Sequence, residues 1–216
     1  LTYRGFGAAL ATGIDYTLSN QLRGLAIGAP LTSIPSALRF GVGGVLQHNS
    51  ATQSFPTVIE PPTDQEDANF GQQMVYADTL NRGLAGELWI SEPGFNNGQG
   101  RIRIQGRTLI GNASVPTTQS VATTQFDLGD LGVFQVPANG DRFGEVLARG
   151  NFNGYGGDEL LIGIPFWEPA AFRSESDRGV VGPPAFNTGA IVEITWDLEP
   201  RDPDILFSDS FESPPS

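Results

Sequence analysis

The chain has 216 residues, and its 28 glycines and 16 prolines argue against long helices and favour an all-β fold with many tight turns. Its formal net charge of −12 opposes contact with phosphate backbones, which argues against nucleic acid as a partner. The absence of cysteine excludes disulfides and thiolate metal sites, and no apolar run approaches the ~20 residues of a membrane-spanning helix.

A repeat unit begins near the start of the chain with the pair Phe6-Gly7. A short apolar run follows, then a polar loop, and then a second apolar run that ends in Pro30. The strands predicted for this first unit, residues 1–62, are 8–11, 24–30, 44–47 and 57–59.

The same order recurs twice, starting at Phe70-Gly71 and at Phe143-Gly144. The second unit, residues 63–136, has predicted strands at 74–77, 87–93, 100–105 and 132–136. The third unit, residues 137–200, has predicted strands at 145–148, 159–165 and 189–194, with a candidate fourth strand at 205–207 in the tail, 201–216.

The spacing within the three units is nearly constant. From the Phe of each pair to the Pro that closes the second strand, the separations are 24, 23 and 22 residues. Repeats of about four short strands are typical of propeller blades, each of which buries its faces against its neighbours. We therefore expect the Phe of each pair to be a core residue between adjacent blades.

Residues 143–165 resemble the FG-GAP repeat, the blade of the integrin α-subunit propeller and of many bacterial surface proteins. The first unit keeps the Gly-Ala-Pro ending of that family at Gly28, whereas the second ends in Ser-Glu-Pro at Ser91. The resemblance covers nearly all of residues 3–200 and implies an all-β fold of β-propeller blades, three four-stranded antiparallel sheets.

Three blades are fewer than the four to eight of a closed propeller. The chain is therefore expected to be part of a larger propeller, completed by another propeller fragment, or to pair with a second copy of itself. Three unusual blades with long loops that cover both ends are the remaining alternative.

The FG-GAP resemblance also implies a calcium loop in the third unit. The positions that match the family's ligands are Asn151, Asn153, Tyr155 and Asp158. With two amides, one carboxylate and a tyrosine in place of an acid, the loop predicts weak calcium binding at low occupancy. The alternative is a turn in which Asn side chains bond to the local backbone. The matching loops of the first two units are expected to have lost the metal.

A long insertion, residues 166–188, separates the second and third strands of the third unit. It carries the candidate ligand-binding residues Trp167, Phe172, Arg173 and Arg178. Long ordered loops tend to be functional, and aromatic rings beside arginine suit a glycan or a protein partner. The alternative is a hydrophobic flap over a blade edge.

The single histidine, His48, and the lack of cysteine and of a phosphate-binding loop argue against an enzyme. Residues 205–213 resemble a short ending of exported bacterial proteins. The sequence thus predicts a non-catalytic binding or adhesion module, secreted or at the bacterial cell surface, that recognises a protein or glycan through loops. The alternatives are a propeller domain accessory to a hydrolase or lyase, and a propeller lectin.

Overall fold

The structure, a computed structural model, describes residues 4–14, 23–33, 40–49, 54–61, 65–78, 87–110, 118–131, 138–152, 157–167, 189–196 and 205–206. These residues form a mostly β protein with three antiparallel sheets of four strands each. Within the described ranges no sheet closes on itself. The predicted all-β class is therefore confirmed.

Each sheet is a meander in which consecutive strands pair. The first sheet contains β1 Ala9–Ile14, β2 Arg23–Gly28, β3 Val45–Asn49 and β4 Ser54–Ile59. The second contains β5 Met74–Ala77, β6 Glu87–Glu92, β7 Arg101–Ile110 and β8 Thr118–Phe126, with the short turn α1 Phe95–Gly98 after β6. The third contains β9 Val146–Gly150, β10 Glu159–Ile164, β11 Ala190–Trp196 and β12 Ile205–Leu206.

The fourth strand of the second sheet lies where the sequence did not predict it. We expected it at 132–136, which falls outside the described residues, whereas the strand that pairs with β7 is β8. Its sequence, TQSVATTQF, is mostly polar and lacks a clear apolar alternation. Because its position is set by pairing along the long β7, local hydrophobicity could not reveal it. β12, in contrast, lies within the predicted 205–207, in the segment assigned to the tail.

Successive sheets meet through the Phe-Gly pairs. Phe70 forms a parallel bridge with Gly43, and Phe143 forms one with Gly100, so the pair that opens each sheet bonds to the start of the third strand of the preceding sheet. We call this contact the Phe-Gly join. Both phenylalanine side chains are fully buried, as predicted for core residues. The same prediction is wrong for Phe6, which is 55% exposed because no described sheet precedes the first.

Side chains alternate across each strand, so the second sheet has one face towards the first sheet and the other towards the third. At the first join, a buried cluster combines Ala11, Ala26, Val45 and Ile59 of the first sheet with Phe70, Met74, Tyr76, Leu88 and Ile90 of the second. At the second join, Val75, Ala77, Trp89, Ile102 and Leu128 pack with Phe143, Leu160, Ile162, Ile164, Ala190, Val192 and Ile194. The core of the molecule therefore lies between the sheets.

The turn α1 is not a regular helix, since Asn96 and Asn97 have left-handed backbone dihedrals. Carbonyl groups of this turn accept hydrogen bonds from the third repeat. For example, Arg142 N donates to Gly98 O at 2.7 Å. In the described part of the chain, no helix has the length and apolar character needed to cross a membrane.

The close backbone approach at the join favours glycine, because a side chain there would overlap the neighbouring sheet. Gly100 has φ +86°, and a Cβ there would overlap the backbone N and O of Phe143. Gly140 has a similar φ of +89°, but no described atom lies within 4 Å of a Cβ built on it.

We expect Gly140→Ala to cost about 1–2 kcal/mol of unfolding free energy, the strain of an L-residue in the left-handed region. Gly100→Ala should cost about 1–3 kcal/mol more, because it also overpacks the join. Urea unfolding measures both. Equal losses in the two variants would mean that the join does not need glycine.

Candidate functional site

The described residue pair with the most unusual chemistry is a buried ion pair at the end of β6 in the second sheet. Glu92 and Arg101 are direct cross-strand neighbours. Arg101 donates from Nε at 2.8 Å and from Nη2 at 2.5 Å, both to Oε2 of Glu92. The guanidinium carbon also lies 3.6 Å from the centre of the Phe95 ring, a cation–π contact. Both charged side chains are almost completely shielded from solvent.

Burial controls the ionisation of this pair. Removal of Glu92 from water raises its pKa from 4.5 to about 7, although Arg101 acts in the opposite direction by charge attraction and hydrogen bonding. One carboxyl oxygen, Oε1, is buried without a hydrogen-bond partner. A carboxyl group with these surroundings takes up or releases its proton near neutral pH. The arrangement therefore links the packing of the second sheet to pH.

The strand registers identify the positions in the other two sheets that are equivalent to Glu92 and Arg101, and neither sheet has an ion pair there. The positions of Glu92 and Arg101 correspond to Ala29 and Gly44 in the first sheet. In the third sheet they correspond to Ile164 and Ala190. The sequence carried a signal for this pair, because Glu92 interrupts the Gly-Ala-Pro ending, but its partner could be found only from the strand register.

A second arginine follows on the same face of β7. Arg103 donates from Nη1 to the Glu60 carbonyl at 2.6 Å, and its guanidinium lies 5.9 Å from the centre of the Phe70 ring. It thereby ties the second sheet to the end of β4 in the first. Arg103 is thus part of the first join.

The predicted calcium loop is partly described, with Asn153 and Tyr155 outside the described residues. Asp158 Oδ2 accepts hydrogen bonds from Arg149 Nη1 at 3.3 Å and from the backbone N of Asp78 at 3.0 Å. Asp158 N in turn donates to the Asp78 carbonyl at 3.1 Å. The carboxylate that the resemblance assigns to calcium therefore bonds to a guanidinium and to the second sheet, while Asn151 begins the loop after β9.

Among the side chains that the structure describes, no three His, Cys, Asp or Glu residues gather in a group suited to a metal ion. A cation at Asp158 would compete with Arg149 for the carboxylate. Calcium binding at this loop thus stays a prediction.

Of the four predicted ligand-binding residues, Phe172, Arg173 and Arg178 lie outside the described residues. Trp167 is partly buried and packs against the core of the second join. Its neighbour Phe166 is the exposed aromatic at this position, with 43% of its surface accessible. The structure therefore places a solvent-facing ring one residue before the predicted one.

The contribution of the ion pair can be tested by replacing it with the apolar residues found at the equivalent positions of the third sheet. The double variant Glu92→Ile/Arg101→Ala puts the residue types of Ile164 and Ala190 into the second sheet. Since replacing a buried ion pair by apolar residues is often neutral or stabilising, we expect this variant to fold. The single variant Arg101→Ala should lose about 3–5 kcal/mol at pH 8, because it leaves the buried Glu92 carboxyl without its charged partner.

The pH dependence of stability should differ between the parent protein and the double variant. Because the pKa of Glu92 is higher in the folded than in the unfolded chain, the folded state holds the extra proton. The free energy of unfolding of the parent protein should therefore fall by roughly 3 kcal/mol as pH rises from about 4.5 to about 7, relative to that of the double variant, which lacks this carboxyl group. Urea unfolding at several pH values measures the difference, and parallel curves for the two proteins would contradict the raised pKa.

No protein-family model matches the chain, and no curated protein matches it either. The resemblance to FG-GAP repeats therefore rests on the residues of the three repeats themselves.

Proposed function

We propose that the three sheets are consecutive blades of an FG-GAP-like β-propeller, and that the chain is a non-catalytic binding or adhesion module of an exported bacterial protein. Its ligand is a protein or a glycan, taken up by loops at one end of the sheets. The observation that carries this proposal is the repetition of one Phe-Gly join between successive sheets.

The packing of the first strands supports the propeller arrangement. β1 contacts β5, and β5 contacts β9, so the strands that open the three sheets are neighbours. This order is expected when blades are arranged around a common axis with their first strands innermost. Loops that connect the strands then collect at the two ends of the scaffold, where they are free to vary without disturbing the joins.

The loop after β10 is the best-supported contact surface. Phe166 and Trp167 begin the long insertion, and the exposed Phe166 ring can offer apolar area to a ligand while Trp167 holds the loop to the core. Aromatic anchors on a rigid base are typical of interface hot spots.

Alanine variants at two exposed phenylalanines test this surface. Phe166 follows β10, whereas Phe152 follows β9, the antiparallel neighbour, so the two rings lie at opposite ends of the third sheet. We expect Phe166→Ala to weaken binding to a ligand found on glycan and protein arrays by about 10-fold or more, and Phe152→Ala to leave it unchanged. If no ligand is captured, or both variants bind as well as the parent, the proposed function is wrong.

Weak calcium binding is also part of the proposal and is tested by thermal melting. At a calcium concentration about ten times the Kd, the melting midpoint should rise by roughly 3 °C relative to chelator. Arg149→Gln should enlarge the shift, because it removes the cation that competes for Asp158. Asp158→Asn should abolish it. A midpoint that calcium leaves unchanged in both the parent and Arg149→Gln would remove calcium from the proposal.

A further inference from the structure

The two internal joins define what a Phe-Gly pair needs from the sheet before it. At the first join, Phe70 N donates to Val42 O at 3.2 Å and Gly44 N donates to Phe70 O at 3.1 Å. The following glycine, Gly71, sits so close that a Cβ on it would lie 2.8 Å from Val45 Cγ2. At the second join, the corresponding distance from Gly144 to Ile102 Cδ1 is 2.6 Å.

The first sheet presents a Phe-Gly pair that is already folded for such a join. Gly7 has φ +84°, against +86° and +85° for its two counterparts. Ala8 N donates to Gly5 O at 3.0 Å and Gly7 N donates to Gly28 O at 2.9 Å, the same two bonds that hold the other pairs. Yet Phe6 is exposed, and no described atom lies within 4 Å of a Cβ built at Gly7.

The third sheet presents the matching acceptor. Gly189 has φ +69° and donates its N–H to the Trp167 carbonyl at 3.1 Å, as Gly43 and Gly100 donate to the carbonyls of the equivalent loop residues. The strand register makes Ile191 the counterpart of Val45 and Ile102. Those two side chains are fully buried under the next Phe-Gly pair, whereas Ile191 is 66% exposed.

The apolar surfaces around the two ends are also complementary. Val146, Gly163 and Ile191 are cross-strand neighbours on the outer face of the third sheet. The glycine in this row leaves room for a backbone, since its counterpart Gly28 lies against the Gly71 carbonyl. On the first sheet, Leu10 is exposed, while its counterpart Met74 is buried in the first join.

We infer that Phe6-Gly7 of one copy of this chain docks on the row Val146–Gly163–Ile191 of a second copy. Both halves of the contact are present on each chain, which is the condition for head-to-tail association. Two such contacts give a dimer in which six sheets form a ring, a size within the four to eight blades of closed propellers. This association rests on the Phe-Gly join and not on ligand capture, so it can fail or hold independently of the proposed binding function.

The test is the solution mass of the full chain by light scattering. We expect twice the mass of one chain for the parent protein, and a twofold lower mass for Phe6→Glu and for Ile191→Glu. Phe40→Glu is the control and should remain a dimer, because Phe40 is exposed and lies at the internal first join, where its carbonyl accepts from Asp67 N. Circular dichroism should be the same for all variants, because each altered side chain is exposed in the single chain.

Mixing the two defective variants tests the head-to-tail geometry. Phe6→Glu retains an intact acceptor and Ile191→Glu retains an intact Phe-Gly pair, so an equimolar mixture should recover the dimer mass that neither variant reaches alone. A parent protein that stays monomeric at all concentrations overturns the inference. So does a dimer that survives either substitution, or a mixture that remains monomeric.

Discussion

The fold depends on one backbone contact, the approach of a Phe-Gly pair to the start of the third strand of the preceding sheet. A meander of four short strands has two faces, and it is stable only when its apolar face is covered. The join meets this requirement by bringing two backbones closer than any Cβ would allow, as Gly43 against Phe70 and Gly100 against Phe143 illustrate. Once the register is set there, the phenylalanine rings and the apolar rows on both faces are brought into contact.

The joins tolerate different chemistry around this constant element. Equivalent positions hold Ala29 and Gly44 in the first sheet, the Glu92–Arg101 ion pair in the second, and Ile164 with Ala190 in the third. A charged pair can occupy such a buried site because its two members are cross-strand neighbours and hydrogen-bond directly to each other. The cost is desolvation, which is visible in the raised pKa of Glu92. The backbone frame is thus more restrictive than the side chains that fill it.

The same frame explains where function can be located. Side chains on the sheet faces are used for packing, so variable chemistry is left to the loops and to the two outer sheets. Asp158 shows the competition between these roles, because its carboxylate bonds to Arg149 and to the backbone of Asp78 in the neighbouring sheet. Phe166, in contrast, projects from the loop after β10 without a packing role in either core cluster.

The sequence by itself determined the number of repeats, the all-β class and eleven of the twelve described strands, because apolar runs and Phe-Gly spacing are local signals. It also predicted that the Phe of every pair would be buried, which is confirmed for Phe70 and Phe143 and wrong for Phe6. Only the tertiary structure decided that β8 is the partner of β7, that Glu92 meets Arg101, and that Phe6 and Ile191 remain exposed. Each of these depends on register or on the presence of a neighbouring sheet, and contacts between distant parts of the chain leave no trace in local composition.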